Sequence, residues 1–103
     1  MSLRRRKEQQ IETLGNTLTN TYESYNNALF VLEAQTRNVA TNYNNFERTQ
    51  ERYKLGQVSS IEFRQAQINL LNSKTAMNNA KYDAKLIELD LLQLAGELLN
   101  VEF

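Results

Sequence analysis

The chain is expected to be all-α: a long antiparallel two-helix coiled-coil hairpin, with one helix over about 8–55, a tight turn at Gly56, a second helix over about 60–99 and no β-barrel. Three observations predict this. Proline is absent from all 103 residues, which permits long unbroken helices. Apolar residues recur three and four positions apart along both halves, the spacing of a coiled-coil seam. A single credible break, Arg52 to Phe63, interrupts the pattern near the middle.

In the first arm, Ile11, Leu18, Tyr25, Leu32, Val39, Phe46 and Tyr53 are all apolar or aromatic and stand seven residues apart. Four residues after the first six lie Gly15, Tyr22, Leu29, Thr36, Tyr43 and Gln50, of which only the tyrosines and Leu29 are large and apolar. We read these as one seam with a strong row and a leaky row. Asn and Thr are dense between the rows, and both are mediocre helix formers. Such a helix needs a partner along its seam.

The break has its own chemistry. Gly56 suits the position just past a helix end, where the backbone turns left-handed. Ser59 reads as an N-cap, with Glu62 completing a capping box and Val58 and Phe63 at staple positions. In the second arm, Phe63, Ala66, Leu70, Ser73, Met77, Ala80, Ala84, Ile87, Leu91, Leu94 and Leu98 alternate three and four apart. A further row, Ile61, Ile68, Thr75, Tyr82 and Leu89, keeps a strict spacing of seven on another face. A lone hairpin covers only one of these rows, so the surplus predicts a dimer or higher helical bundle. An antiparallel pairing sets Tyr53 against Phe63 near the tip.

Composition narrows the function. The 12 basic and 12 acidic residues balance, so no global field draws nucleic acid or anionic lipid. Histidine and cysteine are both absent, which removes the usual general base, thiolate chemistry and the commonest metal ligands. Glu47 and Glu51 share a helix face, but Arg48 and Arg52 beside them make it a solvated charge face. Glycines come singly, so no phosphate-cradling loop exists. We expect no enzyme, no cofactor and no metal. No apolar run approaches the ~20 residues of a membrane-spanning helix. The basic run Arg4 to Lys7 lacks a following hydrophobic stretch, so no signal peptide is expected. Residues 1–7 read as a basic tail, in part vector-derived, ahead of a hairpin over 8–103, and the chain as written as soluble.

The run from Glu51 to Leu99 resembles the outer membrane efflux protein (TolC-like) family. The resemblance is carried by Arg52-Tyr53-x-x-Gly56, Ser59-x-x-Glu62, Ala66-Gln67-x-x-Leu70, Ala80-x-Tyr82, and Leu91 to Leu94 followed by Ala95-Gly96-x-Leu98. The first arm, through Glu33, Asn38 and Ala40, fits the preceding helix more loosely. The resemblance implies a parent protein in the cell outer membrane, a homotrimeric channel whose α-helical tunnel lies in the periplasm and serves efflux or type I secretion. This chain is then a partial α-barrel segment without direct membrane contact. The hairpin tip would meet a membrane-fusion adaptor, which works with an inner-membrane pump. Carried over residue by residue, Arg52, Tyr53, Leu55, Gly56, Gln57, Val58 and Ser59 would form that docking tip. The residues alone also fit a coiled-coil spacer or scaffold, or the hairpin of an adaptor protein.

Overall fold

The computed structural model describes residues Leu3–Glu102, and two α-helices account for nearly all of them: α1, Leu3–Lys54, and α2, Ser60–Glu102. Among the described residues there is no strand. The helices form a hairpin, as expected, but both run longer than the sequence pattern indicated. Arg4 to Lys7 belong to α1. Arginine and lysine are good helix formers, and Arg4 meets Glu8 at 3.7 Å one turn on. At the other end α2 continues beyond Leu99.

The Thr-rich stretches hold helical geometry by turning their hydroxyls back onto the helix. Thr17, Thr36, Thr41 and Thr49 each donate to the carbonyl four residues earlier, at 2.8 to 3.1 Å. This satisfies the side chain but adds little stability. Exposed ion pairs, including Arg37–Glu33 at 3.9 Å and Lys85–Glu88 at 3.5 Å, add little more. Packing therefore has to hold the helices.

The chain divides into two units. The tip unit is Phe30–Tyr82, and the terminal unit joins Met1–Leu29 to Asp83–Phe103. In the tip unit the buried residues are Ala66, Leu70, Ser73 and Ala80, all on α2. Leu32, Val39 and Phe46 of α1 are half-buried, and no residue of α1 is fully buried. Large side chains of α1 thus lie over a largely small-residue face of α2, making a core one layer deep. Ser73 sits in it without a penalty, because its hydroxyl donates to the Leu70 carbonyl at 2.7 Å. In the terminal unit Ala84 is buried, while Ile11, Leu18, Tyr25, Ile87, Leu91, Leu94 and Leu98 are half-buried. Met77 is half-buried in the tip unit.

One expectation for α1 is corrected. The leaky row does not close the seam: Tyr22, Leu29 and Tyr43 are 55%, 40% and 48% exposed. The half-buried row lies three residues after the strong one, at Leu14, Thr21, Ala28, Gln35, Asn42 and Thr49. Apart from Leu14 and Gln35 those side chains are short, so α2 can approach closely on that side. The larger residues at the fourth position fall on the opposite flank of the strong row. Tyr43 finds a local partner there: a hydrogen bond to Glu47, and then the Glu47 charge, hold its phenol above the usual value.

Candidate partner-docking tip

The turn between the helices is closed by backbone bonds that the sequence dictates. Gly56 adopts φ +74°, a left-handed conformation that L side chains resist. With the chain so turned, the Gly56 N–H donates to the Tyr53 carbonyl at 3.0 Å, and the Gln57 N–H to the Arg52 carbonyl at 2.8 Å. This crossed pair is the Schellman motif, and it satisfies carbonyls that α1 leaves open at its end. The Leu55 N–H donates to the Glu51 carbonyl, and Lys54 meets the Glu51 carboxylate at 3.8 Å.

Ser59 starts α2. Its Oγ accepts the Glu62 N–H at 3.2 Å, and its carbonyl accepts the Phe63 N–H at 3.1 Å. Of the capping box this is the half that forms; the Glu62 carboxylate makes no return bond to the Ser59 N–H. Ser59→Ala is expected to cost about 1 kcal/mol. Gly56→Ala is expected to cost about 1–2 kcal/mol through the left-handed backbone alone, since a Cβ there meets nothing within 4 Å. Urea unfolding of both variants checks the pair of values.

An aromatic stack clamps the corner. The Phe63 ring stacks on Tyr53 with centroids 4.7 Å apart and lies 5.6 Å from Phe46. Tyr53 stands opposite Phe63 as the antiparallel pairing requires. Phe46 is the member that the sequence did not mark for this role, although it belongs to the strong row. Val58 is half-buried beside a shallow groove of about 240 Å³, which it lines with Arg52, Glu62 and Ala66.

The surface beyond the clamp presents two large apolar side chains. Leu55 is 69% exposed and Ile61 78%. Arg52, Tyr53, Gly56, Gln57 and Ser59 are exposed around them. The structure thus gathers the tip residues singled out in the sequence at one turn and leaves the seam residues in the helix bodies. Ile61 joins them; its place in the outer row of α2 marked it as surplus apolar surface but not as part of the tip. Among the described residues no group of acidic side chains could hold a metal ion, and no helix is long and apolar enough to cross a membrane.

Compared with known proteins, the chain matches the family model described as outer membrane efflux protein over residues 2–97. No curated protein and no solved structure gives a match.

Proposed function

Since the chain belongs to the outer membrane efflux protein family, a family of transport channels rather than enzymes, we propose that it is a hairpin of the channel's periplasmic α-helical wall and that its tip is where a membrane-fusion adaptor docks. The parent is then a trimeric conduit for efflux or secretion, working with an inner-membrane pump through that adaptor. The arms serve as wall: their seams carry burial, and their remaining chemistry is a solvated mixture of Asn, Thr and exposed ion pairs.

The observation that carries the tip reading is Leu55. The side chain of Leu55, held exposed on a turn closed by backbone bonds and beside an aromatic stack, adds little burial to the hairpin. It offers a partner an apolar contact at little cost in ordering. Arg52 and Gln57 supply polar groups at its rim.

The test uses the full-length parent. Leu55→Glu and Val58→Glu are expected to cut adaptor co-purification and export at least tenfold while the channel assembles at its normal level. Unchanged adaptor binding and unchanged export in both variants would remove the tip from the docking surface.

A further inference from the structure

Between the helices of the tip unit lies a notch of about 230 Å³, lined by Phe46, Gln67, Leu70, Leu71 and Lys74. Its shape follows from the helical repeat. Gln67 stands three and four residues before the two leucines, and Lys74 four and three after them, so these four side chains adjoin on α2. Phe46 closes the notch from α1, its ring braced by Phe63 at 5.6 Å between centroids. Leu70 is buried, whereas Leu71 is 64% exposed and leaves apolar surface for a ligand to cover.

The polar groups of the notch are few and unspent. Lys74 is the one charged residue that lines it. Among the described residues its ammonium holds no ion pair, and the Gln67 amide holds no hydrogen bond. The groove beside Val58 differs in this respect, because Arg52 and Glu62 line it together with opposite charges. An apolar wall with a single cation at its edge suits a ligand that is apolar over most of its surface and carries one negative charge.

We infer that this notch binds a small aromatic carboxylate. The ring lies against Phe46, Leu70 and Leu71, the carboxylate accepts from the Lys74 ammonium, and the Gln67 amide meets a polar substituent on the ring. Size limits the ligand to one or two rings, since drug-sized molecules need pockets of about 300–1,000 Å³. Charge limits it to a monoanion. A lone ammonium is a compact point charge, and a phosphate or other dianion would call for further donors. Binding is weak, with a dissociation constant on the order of 1 mM for a ligand of this size. The site lies on the arms and is independent of the docking tip.

Titration of the 103-residue chain, followed by NMR at the backbone amides, tests the site. Naphthoate, naphthalenemethanol and naphthylmethylammonium present the same two rings with a negative, a neutral and a positive group. All three are expected to bind in that order, naphthoate at least threefold tighter than the alcohol, as one exposed ion pair allows. The largest shifts should fall at Leu71 and Lys74. Lys74→Gln should abolish the advantage of naphthoate and leave the alcohol unchanged, while Leu71→Asn should weaken both at least threefold. Equal binding of the three probes, no shift at those amides, or an advantage that survives Lys74→Gln would overturn the proposal. So would an affinity that falls as protein concentration rises, which would place a second copy of the chain in the notch.

Discussion

Phe63→Ala is expected to cost about 2–4 kcal/mol of unfolding free energy and to loosen the corner before the arms. Phe63 is the middle ring of the stack, 4.7 Å from Tyr53 and 5.6 Å from Phe46, so one truncation removes both ring contacts. Each aromatic pair is worth about 0.5–1.5 kcal/mol beyond its buried area. The ring is half-buried, which places the total toward the lower end of the range for phenylalanine truncations. Urea unfolding measures the global loss. Hydrogen exchange at the Gly56 and Gln57 amides measures the local one, since those N–H groups close the turn on Tyr53 and Arg52. Faster exchange there is expected in the variant. An unchanged rate would mean that the backbone bonds hold the corner without the stack. Phe63→Leu keeps most of the volume and should cost about 1 kcal/mol.

The second large effect comes from neighbouring leucines. Leu70→Ala should cost about 2–4 kcal/mol, and Leu71→Ala less than about 0.5 kcal/mol in a monomer. Leu70 is 9% exposed in the one-layer core, whereas Leu71 is 64% exposed on the outside of α2. The hairpin has no deeper layer to share the cavity, so the lost contacts of Leu70 are not made up elsewhere. Thermal unfolding at low and high protein concentration separates the two roles. Leu70→Ala should lower the midpoint at both, while Leu71→Ala should do so only where chains associate. Equal losses at low concentration would contradict the burial pattern.

What the sequence revealed depended on how local the cause was. Gly56 and Ser59 were legible because a left-handed residue and an N-cap act on their own backbone, and both act as expected. The strong row of α1 was legible from its spacing, and the fold class followed from it. The row that completes the seam was not. Hydrophobicity favours Tyr22, Leu29 and Tyr43, yet burial falls on Thr21, Ala28, Gln35 and Asn42, because the helix that covers α1 decides by shape which flank it can approach. Even Gln35, polar and long, is half-buried simply by standing on that flank. Phe46 was placed in the seam, but its part in the corner depends on a contact across the turn that periodicity does not report. The start of α1 was read late because the basic run Arg4 to Lys7 looked like a tail, and four cations at a helix N-terminus oppose its dipole. The structure nevertheless carries the helix through them, in keeping with the good helix propensity of arginine and lysine.

The alternation of large residues on α1 with small ones on α2 also fixes how the hairpin can change length. Removing seven residues from each arm leaves every remaining layer in phase, so arm length can vary in steps of one heptad per helix without repacking. A single inserted residue in one arm behaves differently. It turns every position beyond it by about 100°, swinging the strong row off its partner and exposing it. Tolerated insertions and deletions should therefore come in matched heptads or fall at the turn, where Gly56 absorbs the change of direction.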